Sequence, residues 1–208
     1  MAKALNVNPN RMELSRLKKR LVVAKRGHKL LKDKQDALIK EFLQRARDLK
    51  NLREEVEGEL RVCYQSFLLA RSQSLPSLLE QALLLSSGGL GVEEKRKNVM
   101  SVSIPLYTLS ERAVGLTYGL LTSSGSLDVT LEKFESLLPK LVRLAAEEKA
   151  LRLMAKEIEK TRRRVNALEY VLIPSFIETI KNISMKLDEM ERATLGRLMR
   201  IKEIVRSH

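Results

Sequence analysis

The chain has 208 residues with 44% hydrophobic, 31% charged and only 4% aromatic residues, no tryptophan and one cysteine, and it carries a formal net charge of +13. That balance is poor material for a compact aromatic core and suits long paired helices. A single Cys63 excludes an internal disulfide and, with two histidines, any persuasive zinc or thiol–imidazole site.

In chain order, Asn8 reads as an N-cap with Pro9 in the first helical position, where a missing N–H costs nothing. From there Leu14, Leu17, Leu21, Ala24, His28, Leu31, Gln35, Leu38, Phe42, Leu49, Leu52, Val56, Leu60, Cys63 and Phe67 recur at steps of three and four, with a stutter between Leu52 and Cys63. A helix of this length needs a partner helix. The segment is also strongly basic: Arg11, Arg16, Lys18, Lys19, Arg20, Lys25, Arg26, Lys29, Lys32 and Lys34 stand against Glu13 and Asp33. It calls for an acidic partner.

Two positions on this helix have competing explanations. His28 on the seam is a titrating switch or, more commonly, a partly buried histidine with one hydrogen-bond partner. Gly27 costs about 1 kcal/mol against alanine, offset by close approach of another backbone or simply tolerated. Cys63, on the seam, reads as a packed thiol.

Composition then changes. SLPSLLEQALLLSSGG reads as a short helix with proline in its first turn and a glycine stop. KNVMSVSIP places Met100, Val102 and Ile104 at strand periodicity, LYTLSER reads as an exposed connection, and AVGLTYGLLTSSG as the returning strand.

From about Asp128 to Val205 a second apolar stripe includes Leu131, Phe134, Leu138, Leu141, Ala145, Ile158, Val165, Leu168, Leu172, Ile180, Ile183, Leu187, Met190, Leu198, Ile201 and Val205. Pro139 and Pro174 fall inside it and predict kinks rather than ends, because the stripe continues past both.

The expected fold is mainly α: a long antiparallel two-helix left-handed coiled coil of the N- and C-terminal helices, with a small middle region holding a short helix and a β-hairpin. The expected divisions are residues 1–75, 76–127 and 128–208. Matching the helix ends gives a register in which paired residue numbers sum to roughly 216. It sets Lys25, Arg26 and Lys29 toward Asp188, Glu189 and Glu191, and Arg162, Arg163 and Arg164 toward Glu54, Glu55 and Glu57. The two termini then share a tip where Arg11, Arg16, Lys18, Lys19 and Arg20 lie near Arg197, Arg200, Lys202 and Arg206.

No phosphate-binding loop, HExxH pair or catalytic carboxylate constellation is present in the sequence, so no catalytic site and no cofactor are inferred. The absence of a long apolar run and of a secretory pattern points to a cytoplasmic chain without direct membrane insertion.

The ordered segments NVNPNRMELSRLKKRL, KRGHKLLKDKQDALI, NVMSVSIP, LLPKL, EIEKTRRRVNALEYVLIPSF and ETIKNISMKLDEMER resemble the D subunit family of the V-type and A-type rotary ATPases. The match spans both long helices and part of the hairpin; residues 72–96, the stretch from Leu106 to Arg112 and the C-terminal tail diverge. The resemblance implies a non-catalytic rotor axle transmitting torque between an ATP-hydrolysing or ATP-synthesising head of A and B subunits and a membrane ring that moves protons or sodium, peripheral to the membrane.

In such an assembly, the termini enter the head, the F subunit binds the flank, and the middle region seats on the membrane-side d subunit, called C in some members. By this resemblance Arg11, Arg16, Lys18, Lys19, Arg20, Lys25, Arg26, Arg162, Arg163 and Arg164 are candidate head contacts, and Met100, Val102 and Ile104 belong to a membrane-side coupling hairpin. Two alternatives stand beside it. A nucleic-acid-binding coiled coil accounts for the charge but lacks stacking aromatics and a basic region separate from the seam, so no nucleic-acid partner is expected. A prefoldin-like chaperone needs exposed apolar tips, and the cationic tip argues against it.

Overall fold

Asn10 starts the first helix. Its side-chain oxygen accepts the Met12 N–H at 3.4 Å and its carbonyl accepts the Leu14 N–H at 2.9 Å, so the cap lies two residues beyond the expected Asn8. In a computed structural model that describes residues 7–84, 91–110 and 125–207, α1 runs Arg11–Gln73, α2 Pro76–Leu84, α3 Gly125–Ala167 and α4 Ile173–Ser207, with strands β1 Gly91–Val99 and β2 Val102–Ser110. Between α3 and α4, Leu168–Leu172 form one π-helical turn in which the Ile173 N–H donates to the Leu168 carbonyl. The fold is mainly α, with a short helix and a hairpin in the middle of the chain, as expected.

The wide turn sits immediately before Pro174. Proline has no N–H to give and its ring crowds the carbonyl four residues back, here Tyr170. Widening the turn to a five-residue spacing is one way for a helix to accommodate such a break. Pro139 is accommodated inside α3 without interruption of the helix.

The residues divide into two compact units, Met1–Ala37 with Ile158–His208, and Leu38–Glu157. In the first, α1 runs antiparallel to its partner: Arg11 pairs with Glu191, and His28 Nε2 lies 3.3 Å from Glu169 Oε2. Its buried seam positions are Leu17, Val165 and Ile183, with three hydroxyl residues, Thr161, Ser175 and Thr179. Thr179 Oγ1 donates to the Ser175 carbonyl one turn back at 2.6 Å, which lets a polar side chain occupy the seam without an unmet donor. His28 thus has its one partner. A Cβ at Gly27 meets nothing within 4 Å, so close backbone approach is not what keeps glycine there.

In the second unit α1 and α3 are also antiparallel. Arg45 reaches Glu147 at 3.2 Å, Arg53 reaches Glu148 at 3.5 Å, and Lys140 bridges Glu55 at 2.7 Å and Glu59. The core comprises Leu38, Val56, Leu137, Ala146, Ala150, Leu151 and Met154, and α2 docks by packing Leu79 against Ala70 and Leu127, flanked by Phe67 and Leu131. The Cys63 thiol is buried, its Sγ 3.8 Å from the Thr130 carbonyl, as expected of a packed cysteine.

Three expectations need correction. Cross-helix pairs sum to between 192 and 202, not 216. Matching helix ends misled because α4 continues sixteen residues past Glu191, the partner of Arg11 at the start of α1.

Glu54 and Glu57 therefore pair with Lys50 and Arg53 on their own helix, Glu55 with Lys140, and Arg163 with Glu159. In the C-terminal stripe, Phe134, Leu172, Met190, Leu198, Ile201 and Val205 are exposed rather than seam residues, and Ala145 is exposed too.

The hairpin turn falls inside the segment read as one strand. Val99 pairs with Val102 across Met100 and Ser101, both at positive φ (50° and 70°), as a two-residue mirror-type turn requires. The returning strand includes IPLYTLS, so Leu106–Ser110 are paired rather than a loop. Residues 111–124, which hold most of the segment expected to return, lie outside the described residues. Strand alternation was legible; the turn was hidden because it lacks the Asn-Gly or Asp-Gly signature.

Candidate partner interface

All ten cations expected to contact a head fall in the first unit. Arg11 is held by Glu191, and Arg16 lies 3.3 Å from Glu13 on its own helix. The hydrogen bond and charge of Glu191 push the Arg11 guanidinium above its already high ordinary pKa, so it stays a permanent cation. Lys18, Lys19, Arg20, Lys25, Arg26, Arg162 and Arg164 are exposed and, among the described residues, make no ion pair. The group is divided along the chain: Arg11–Arg26 lie on the N-terminal part of α1, whereas Arg162–Arg164 lie on α3 before the π turn.

The two units differ sharply in charge. Met1–Ala37 with Ile158–His208 contains 22 Lys and Arg against 10 Asp and Glu, a net +12, whereas Leu38–Glu157 contains 17 against 16, a net +1. The whole formal charge of +13 is therefore almost confined to one unit. Like charges at this density repel one another and attract an acidic counter-surface.

Apolar surface accompanies the charge. Beyond Glu191, α4 exposes Leu195, Leu198, Met199, Ile201, Ile204 and Val205. The end is thus apolar as well as cationic, so a cationic tip is no longer an argument against a chaperone. In the second unit an open apolar groove is lined by Leu60, Cys63, Tyr64, Phe67, Leu83 and Phe134. Sequence patterning assigned Leu60 and Phe134 to the seam and so missed their surface role; the stutter that rotates Leu60 outward was the signal available. On the hairpin, Val102 and Ile104 are buried while Met100, in the turn, is exposed.

Among the described residues no three His, Cys, Asp or Glu side chains cluster as a metal site, and no helix is long and apolar enough to cross a membrane. Paired antiparallel helices offering cationic and apolar surface define a coiled-coil interaction protein. The model of the ATP synthase D subunit family matches residues 13–203, and the chain belongs to that family. It is 53% identical over 203 residues to the V-type ATP synthase D subunit of Thermoanaerobacter sp. (strain X514), covering 97% of each chain. It is 50% identical over 206 residues to that of Clostridium botulinum (strain ATCC 19397 / Type A), covering 97% of this chain and 95% of the relative.

Proposed function

We propose that the chain is the non-catalytic central axle of a V/A-type rotary ATPase. Its cationic unit turns inside a head of A and B subunits, the F subunit binds the flank, and the middle region seats on the membrane-side d subunit (C in some members). The observation that carries this reading is the charge division: +12 on the unit holding both chain ends, +1 on the unit holding the hairpin. Long, unpaired lysine and arginine side chains exchange carboxylate partners without deep locking, which suits a contact that must move. An apolar groove on the neutral unit suits a partner that stays bound. The division of residues 1–75, 76–127 and 128–208 into helix, middle region and helix follows the same roles.

Replacing Arg162, Arg163 and Arg164 together with glutamine tests the head assignment. The expected result is weaker assembly with a reconstituted A/B head, or loss of coupled ATPase activity, at unchanged helical circular dichroism. Full coupling in the triple variant rejects it. Replacing the Met100–Ile104 segment is expected to uncouple the axle from ion pumping, and normal pumping counts against a membrane-side role for the hairpin.

A further inference from the structure

Within the first unit, α1 and α4 frame a shallow groove whose lining combines two kinds of surface. Val23, Ala24 and Phe176 form an apolar floor, and Arg16, Lys19 and Arg20 form its rim. Val23 is 68% exposed, one residue from the half-buried Ala24. Phe176 sits beside Ser175, where the seam is filled by a small hydroxyl residue and the larger ring is displaced to the flank. Only one rim cation is engaged: Arg16 lies near Glu13, while Lys19 and Arg20 make no ion pair among the described residues.

An apolar floor inside a cationic rim has a complementary ligand of definite kind. Carboxylates satisfy the rim and an aromatic or branched aliphatic side chain covers the floor, each excluding water from the other's contact. A nucleic acid satisfies the rim but only part of the floor, where one half-buried ring, Phe176, stands beside aliphatic Val23 and Ala24 rather than in a row of stacking aromatics. A second copy of this unit brings its own excess of +12 and is repelled.

We infer that the groove between Lys19, Arg20, Val23 and Phe176 is the seat of an acidic partner segment carrying an apolar anchor flanked by carboxylates. The inference rests on the axle reading for the partner's identity, since it describes the head surface that faces this side of the coil. It differs from that reading in kind: a charged surface alone slides, whereas an anchor in a groove gives one preferred seat.

The test uses the full-length chain and two probes. The first is a fluorescent peptide with one phenylalanine between glutamates, compared with the same peptide carrying serine in its place. The second is the reconstituted A/B head. Lys19→Glu with Arg20→Glu reverses the rim, Phe176→Ser removes the floor, and Lys149→Glu with Lys156→Glu, both exposed on the second unit, makes the same net charge change elsewhere.

The expected result is at least about tenfold weaker binding of both probes by the rim variant, with the loss shrinking as salt rises. Phe176→Ser loses several-fold at every salt concentration, and the control pair stays within about twofold. Peptide binding that ignores the phenylalanine, or that survives both groove variants, overturns the inference. Equal competition by a duplex RNA of matched charge also overturns it, by making the surface a general polyanion binder. A head that binds wild type and groove variants alike overturns it while leaving the axle reading intact. A head that does not bind wild type removes the axle reading, and the groove is then decided by the peptide alone.

Discussion

The two units solve helix pairing in different ways. The Leu38–Glu157 unit ties its helices with an apolar core of leucine, valine and methionine and with cross-helix ion pairs at Arg45, Arg53 and Lys140. The other unit has a sparser seam that includes Thr161, Ser175 and Thr179, an arginine–glutamate and a histidine–glutamate pair between helices, and exposed cations such as Lys18, Lys19, Arg20, Lys25 and Arg26 that make no ion pair among the described residues. The first arrangement optimises the free chain. The second leaves electrostatic and apolar attraction unsatisfied inside the molecule and so open to the acidic partner proposed above. Packing and net charge are thus concentrated in different parts of the chain.

The largest effect that separates the units is a core truncation. Met154 is fully buried, so Met154→Ala is expected to cost about 2–4 kcal/mol through lost burial and the cavity left behind. Thr179 is equally buried but small and bonded to its own helix, so Thr179→Ala is expected to cost about 1 kcal/mol or less. Urea unfolding of the full chain measures both. Equal losses at the two positions break the contrast between a packed and a sparse seam.

A second comparison replaces one cation in each unit, by a neutral residue in one and by an acidic residue in the other. Arg45 is mostly buried and holds Glu41 at 3.0 Å and Glu147 at 3.2 Å, so Arg45→Gln is expected to destabilise by about 1 kcal/mol. Lys25 is exposed among like charges, and Lys25→Glu places a glutamate four residues before Lys29, a favourable helical spacing. It is expected to stabilise by about 0.2–0.5 kcal/mol. Opposite signs at the two sites, read as shifts in the urea midpoint, sharpen the comparison, and the same sign at both refutes it.

Much of this division was legible in residue order. The step of three and four predicted the seam of α1 well: Leu17, Leu38, Val56 and Cys63 are buried. The basic run from Arg11 to Lys34 announced the charged unit. Register was not legible, because an exposed overhang such as 192–206 keeps the same apolar spacing as a paired segment, and periodicity alone does not tell a helical partner within the chain from one outside it. Thr161 and Thr179 were missed because an apolar count ignores hydroxyls that satisfy themselves on the preceding turn. The groove at Val23 and Phe176 joins residues far apart in the chain, and only the true register brings them together.

The smallest expected effect concerns pH and the Lys140 bridge. Hydrogen bonding and charge from Lys140 hold the Glu55 carboxyl below its ordinary pKa of 4.5, and Glu55 and Glu59 hold the Lys140 ammonium above its ordinary 10.5. For Glu55, whose folded value is lowered, the stabilisation is present above 4.5 and is lost as pH falls through the folded value. For Lys140, whose folded value is raised, it is present below 10.5 and is lost as pH rises through the folded value. The melting temperature of wild type relative to Lys140→Met is therefore expected to show a small plateau advantage between those limits and to converge outside them. The groups are solvent-exposed, so the plateau itself shrinks with added salt. A wild-type advantage that persists below the folded Glu55 value assigns the contribution of Lys140 to packing of its methylene stem along the helix rather than to its charge.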